Sequence, residues 1–293
     1  METFPDAETL VLCERFSLWL RQGGGLPVVG RPLRGGMSPG LDFEGHREWV
    51  DGLDPRHIDW TLWARHRSVY VRTFEDEGAG TLAVLVDASA SMGAGVPARF
   101  ALVRRLAAAL VYAGLREAHG VLLGIAKNGG LERHWLTGGV EAARSAFERL
   151  GAARPEGPTA LAASFDCLRA WPMRGDAVVL SDFLDPAGAG AGVERLAQMG
   201  WRVDLVRVLL PEEGSVPATG VGVRDPETGR VAVAPSAEAG LQARLDAHHE
   251  GLVAAARGRS ALLVDATNDE PFPVVLERLF RGITGTRGGH AGA

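Results

Sequence analysis

A chain of 293 residues with 46% hydrophobic content can hold one large α/β domain plus an extension, and it is too apolar for global disorder. Its net charge of −5 gives no electrostatic case for a nucleic-acid partner or an anionic membrane. Two cysteines, Cys13 and Cys167, lie far apart and outside any C-x-x-C, which argues against a disulfide or zinc scaffold.

The start, METFPDAETL, is acidic and lacks the shape of a signal peptide. No apolar run approaches the ~20 residues needed to span a bilayer, so a cytoplasmic protein without membrane insertion is expected. Asp6 is placed to cap a first helix running to about Gln22, with Leu12, Phe16 and Trp19 as its apolar stripe and Gly23-Gly24-Gly25 as its stop. Arg21 to Gly40 is rich in Gly, Pro and Arg and reads as a linker.

Leu41 to Glu77 has the most unusual composition in the chain. Asp54 and Pro55 open an expected helix to about Arg67, and Val69 to Phe74 alternates like a strand. Arg47, Arg56, Arg65 and Arg72 are interleaved with Glu48, Asp59, Glu75 and Asp76 and with Trp49, Trp60 and Trp63. Such a mixture suits bidentate ion pairs and Arg–aromatic stacking, hence bracing or docking rather than catalysis. His46, His57 and His66 have no ligand spacing and read as structural.

Thr81 to Met92, TLAVLVDASASM, organises the rest. Leu82 to Val86 reads as a buried parallel strand, and Asp87, Ser89 and Ser91 follow at its carboxyl end, where open α/β sheets bind ligands. Carboxylates and hydroxyls are hard oxygen donors suited to Mg²⁺, Mn²⁺ or Ca²⁺. They are also common turn and cap residues, so D-x-S-x-S alone leaves both readings open.

Val96 to Glu117 has helical periodicity, and Gly120 to Ala126 is a strand. Leu131 to Leu136 is its expected antiparallel neighbour across Asn128-Gly129-Gly130. A helix follows over Val140 to Leu150. Thr159 is expected to begin another helix, which suits an N-cap role. Ala177 to Leu180 is a buried strand ending in Ser181-Asp182, and Asp185 is expected to cap a helix over Ala187 to Met199. Next come a strand over Trp201 to Leu209, a hairpin over Val221 to Val233, a helix over Ser236 to Arg257, a strand over Ala261 to Val264 and a helix over Pro273 to Arg281. His248-His249-Glu250 is read as a solvated helix face, because adjacent helical residues point about 100° apart.

Asp87-x-Ser89-x-Ser91 resembles the metal-ion-dependent adhesion site of von Willebrand factor A domains. Gly157-Pro158-Thr159 matches that family's second-loop threonine, and Asp182 matches its third-loop aspartate. REWVDGLDPRHIDWTLWAR, then VYVRTFEDE, then the strand and D-x-S-x-S, resembles the domain of unknown function 58 family. That family's pattern is R-E-Y, G-D-D-x-R-x-I-D-W, S-A-R and V-R-x-F-E-x-E. Here Trp49 stands for the Tyr, Leu53 for the first acid and Trp63 for the Ser.

The resemblance implies a three-layer, doubly wound α/β fold. Its mostly parallel sheet carries one antiparallel edge strand. An N-terminal extension spans 1–80, the von Willebrand A-like domain 81–284 with a hairpin insertion near 220–234, and a flexible tail 285–293. It further implies that Asp87, Ser89, Ser91, Thr159 and Asp182 hold Mg²⁺, or Mn²⁺ or Ca²⁺, in a site that could fill only when a partner completes it. The implied activity is non-enzymatic: a protein-binding adaptor that offers the metal to a target's Asp or Glu carboxylate and works with a MoxR-type AAA+ ATPase. Two alternatives are a Mg²⁺-dependent phosphatase using Asp87 as nucleophile and a metal-free scaffold. The first lacks an acid/base, because Ser89 occupies the position of the second acid in D-x-D enzymes. Neither a G-x-x-x-x-G-K-[ST] loop nor a G-x-S-x-G elbow occurs.

Overall fold

The computed structural model describes residues 4–22, 42–48, 70–75, 81–117, 120–171, 174–211, 222–233 and 238–288. The helix expected over Asp54 to Arg67, the linker from Gly23 to Gly40, Trp49, Leu53, Trp60, Trp63 and the Trp19 side chain lie outside the described residues. The chain divides into two compact units, Gly30–Ala79 and the remainder.

The elements in chain order are α1 (Ala7–Gln22), β1 (Asp42–Glu48), β2 (Tyr70–Glu75), β3 (Thr81–Asp87), α2 (Arg99–Glu117), β4 (Gly120–Lys127), β5 (Gly130–Leu136), α3 (Gly139–Ala152) and α4 (Leu161–Phe165). They continue with β6 (Gly175–Ser181), α5 (Ala191–Gln198), β7 (Arg202–Leu209), β8 (Gly222–Arg224), β9 (Val231–Val233), α6 (Glu238–Arg257), β10 (Leu263–Thr267) and α7 (Phe272–Gly288). In the smaller unit, β1 and β2 pair antiparallel, with an irregularity between Phe43 and Gly45.

In the larger unit, the described strands form a six-stranded sheet ordered β10-β7-β6-β3-β4-β5. All its pairs are parallel except β4–β5. Counted along the chain this order is 3-2-1-4-5-6, a doubly wound sheet whose direction of winding reverses between β3 and β6. The antiparallel edge follows from a two-residue turn, with Asn128 at φ 52° and Gly129 at φ 71°, the left-handed pair that tight hairpins require. The fold is the expected von Willebrand factor A-like sheet.

Every residue of β3 is buried, and its period-2 alternation feeds two cores. Leu82, Val84 and Val86 face α2, α3 and α7, whereas Ala83 and Leu85 face α4, α5 and α6. Asp6 caps α1 by accepting the Thr9 N–H at 2.7 Å, as expected, and also pairs with Arg105 of α2 at 2.8 Å. Cys13 is fully buried, and Phe16 meets Phe280 of α7 with ring centroids 4.9 Å apart. The expected 1–80 extension is therefore not one body: α1 belongs with the sheet because its apolar face packs there, and residues 30–79 form the separate unit.

Several boundaries differ. The helix after β3 begins at Arg99 rather than Val96, because residues 95–98 form a turn. The helix expected from Ala187 begins at Ala191, after turns around Gly188, which takes φ 117°. The last strand is Leu263–Thr267, two residues further on, and the last helix runs to Gly288.

Candidate metal centre

Doubly wound sheets bind ligands at the strands' carboxyl ends beside the point where the winding reverses, here between β3 and β6, and the chain delivers its polar residues to that edge. Asp87 ends β3. Its Oδ1 accepts the Ser89 N–H at 2.8 Å, which bends the chain so that Ser89 Oγ and Ser91 Oγ lie 3.1 Å apart. Asp182 follows β6. Its Oδ1 accepts the Leu184 N–H at 3.1 Å, and its Oδ2 faces Arg99 Nη1 at 3.5 Å.

The second loop is laced to the first by two backbone bonds, Ala90 N–H to Gly157 carbonyl (2.8 Å) and Glu156 N–H to Ala88 carbonyl (2.9 Å). That lacing holds Thr159 at the same edge. Asp87, Ser89, Ser91, Thr159 and Asp182 are all buried, none more than 5% exposed. Thr159 begins no helix: α4 starts at Leu161, and the Thr159 hydroxyl donates to Glu227 at the tip of the β8–β9 hairpin.

Burial, and then the nearby charge of Asp182, push the Asp87 carboxyl up to about 7, against the pull of hydrogen bonds from Ser181 and Ser89. A buried carboxylate with a second one close by is costly, and a divalent cation between them would reverse that cost. Mg²⁺ takes six oxygens at ~2.1 Å, which sets neighbouring ligands about 3.0 Å apart. The Ser89–Ser91 spacing meets that requirement. Among the described residues, no three His, Cys, Asp or Glu side chains cluster around a metal position. The candidate donors are two carboxylates and three hydroxyls, a set suited to a hard cation rather than to zinc.

Five further residues that brace this edge are not assigned to the site by the sequence. Ser181 Oγ donates to Asp87 Oδ2 at 2.5 Å and accepts the Phe183 N–H at 2.8 Å, so it links the first and third loops. Its position beside Asp182 at a strand end was a usable signal. Arg99 Nη1 donates to the Ser91 carbonyl at 3.1 Å as well as facing Asp182. Asp185 was expected to cap the helix after it. Instead its Oδ2 accepts the N–H of Leu161 at 2.8 Å, and its Oδ1 accepts that of Ala187. His248 is not a merely solvated residue: it is half-buried, and its Nε2 lies 2.8 Å from the carbonyl of Phe183, next to Asp182. Glu227 had no local signal at all.

Among the described residues, no helix is long and apolar enough to cross a membrane. Similar solved structures include the following three. An aerotolerance-related membrane protein from Bacteroides fragilis NCTC 9343, with multiple mutations to serines, aligns at 18% identity and TM-score 0.49, over 71% of this chain and 100% of that one. The SpRpn10 VWA domain aligns at 12% and 0.43, over 68% and 95%. The manganese-loaded TRAP protein of Plasmodium vivax aligns at 16% and 0.36, over 44% and 57%. All three TM-scores fall below 0.5, so the fold rests on the strand order above. No curated protein matches. Residues 45–251, more than half of the chain, match the family described as "Protein of unknown function DUF58", and the chain belongs to that family.

Proposed function

We propose that the chain is a non-enzymatic, metal-dependent protein-binding adaptor. Asp87, Ser89, Ser91, Thr159 and Asp182 would hold Mg²⁺, or Mn²⁺ or Ca²⁺, at the sheet edge. Three neutral hydroxyls leave much of the ion's charge unquenched, so the bound ion would attract a further oxygen anion. An Asp or Glu carboxylate of another protein supplies one. The observation that carries the reading is the buried Ser89–Ser91 pair, 3.1 Å apart beside Asp87.

The chain's own residues prepare that site. Ser181 and the Ser89 N–H orient the Asp87 carboxylate. Arg99 ties the Ser91 backbone to Asp182. Two features weigh against Asp87 as a phosphoryl-accepting nucleophile. It is 2% exposed with both oxygens engaged, and Ser89 cannot shuttle a proton as a second carboxylate would. The ATPase partner, of the MoxR type, is proposed on the family resemblance. Its docking surface would lie on the Arg- and Trp-rich run before Thr81 or on the metal edge.

Isothermal titration of Mg²⁺ and of Mn²⁺ into metal-free protein tests the site. Saturable binding that is lost in Ser89→Ala and in Asp182→Asn is expected. Binding that persists unchanged in both variants would remove these residues from the site. A pull-down with the ATPase under Mg²⁺ and ATP tests the partner, and lack of enrichment would overturn it.

A further inference from the structure

The β8–β9 hairpin turns through Asp225-Pro226-Glu227-Thr228-Gly229, and this tip is braced from within. Asp225 Oδ1 accepts the Glu227 N–H at 2.8 Å, and its Oδ2 accepts the Thr228 hydroxyl at 2.5 Å. The Asp225 carbonyl accepts the Gly229 N–H at 2.9 Å, with Gly229 at φ 69°. From Arg224 to Val231 every residue is exposed except Glu227, which is half-buried. A tip that served only as a turn would leave Glu227 in water like its neighbours. Instead its carboxylate takes the hydroxyl hydrogen of Thr159, which is 3% exposed and 68 residues away in the chain.

The chemistry of that contact is specific. A threonine hydroxyl that donates its hydrogen keeps its lone pairs for a cation. The carboxylate that accepts it keeps a second oxygen. Asp87 and Asp182 are buried at this edge, with Arg99 facing Asp182 at 3.5 Å, and a divalent cation there would attract the Glu227 carboxylate through the oxygen it keeps. The residue type, its inward turn and its contact with a candidate ligand all agree with one role.

We propose that Glu227 is an internal carboxylate ligand of this site. With a divalent cation bound, it takes the position that an external Asp or Glu would take, so the hairpin is a built-in competitor that a partner must displace. This rests on the metal-site reading above and deepens it: the resting chain supplies the carboxylate itself.

The test uses the full chain loaded with Mn²⁺, comparing wild type with Glu227→Gln and Glu227→Ala. Water-proton relaxation counts the exchangeable waters on the bound ion, and titration gives its affinity. Both variants are expected to gain one inner-sphere water and to bind Mn²⁺ on the order of tenfold more weakly. ¹³C-acetate, as a minimal external carboxylate, is expected to be broadened by the ion in Glu227→Ala and not in wild type. Saturable Mn²⁺ binding with the same water count and the same acetate broadening in all three proteins would overturn the role of Glu227 alone. Absence of Mn²⁺ binding in all three would overturn the metal-site reading and this inference with it. Circular dichroism of each variant confirms folding, which an exposed hairpin tip should leave intact.

Discussion

The carboxylate of Asp185 accepts the backbone N–H of Leu161 at 2.8 Å, and so supplies from the third loop the cap that Ala160 cannot give to α4. A first-turn N–H that loses a side-chain acceptor costs about 1–2 kcal/mol. Asp185→Ala should lower stability by roughly that amount, with Asp185→Asn intermediate because it keeps one acceptor oxygen. Urea denaturation of the three proteins measures it. Equal midpoints would mean that the bond contributes nothing net.

The Asp87 carboxyl gives the metal-free protein a definite pH dependence. Its pKa rises from an ordinary 3.8 to about 7 on folding. Between those values the folded chain keeps a proton that the unfolded chain has released, so this group makes stability fall as pH rises through that window and level off above about 7. Asp87→Asn should remove this contribution, and saturating Mg²⁺ should oppose it by stabilising the ionised form. Denaturation midpoints at about pH 5 and about pH 8, with and without Mg²⁺, decide the matter. An identical pH slope in wild type and Asp87→Asn would show that Asp87 is not its source.

Gly175 opens β6 opposite Thr81 of β3. A Cβ there would sit 2.1 Å from the Thr81 carbonyl oxygen and 2.9 Å from its nitrogen, backbone atoms that cannot swing aside. Gly175→Ala is expected to destabilise by about 3 kcal/mol, because the two central strands must separate at that end. The readout is the denaturation midpoint. A loss within experimental error would show that the strands part without cost.

The Cys13 thiol is fully buried, and burial followed by the charge of Asp6 pushes it up to about 12. The thiolate is the reactive form, so Cys13 should resist alkylation in the native chain. Cys167, partly exposed, should label first. Mass spectrometry after a short iodoacetamide pulse gives the order. Early labelling of Cys13 would mean that α1 leaves the core readily.

The strand β3, the Asn128-Gly129 turn and the Asp87-x-Ser89-x-Ser91 spacing were legible because each is local: apolar burial, left-handed φ and short-range hydrogen bonds leave marks within a few residues. Thr159 and Asp182 were legible only through family spacing. Ser181 stood in plain view beside Asp182, yet its bond to Asp87 spans 94 residues. Asp185 was assigned to the nearest helix because a sequence shows only the nearest helix. The bonds of His248 to Phe183 and of Glu227 to Thr159 depend on how α6 and the hairpin lie in space, which no periodicity encodes.

The two backbone bonds that lace the first loop to the second, through Ala90 and Glu156, make the rim behave like one more rung of sheet. Amides in ordinary surface loops exchange with solvent through small local openings, whereas laced amides wait for a larger cooperative event. Deuterium should therefore enter Ala90 and Glu156 on the timescale of the β3 interior, and more slowly than it enters the hairpin tip. The candidate metal edge would then hold its shape for as long as the domain stays folded, with its adaptability confined to the hairpin tip.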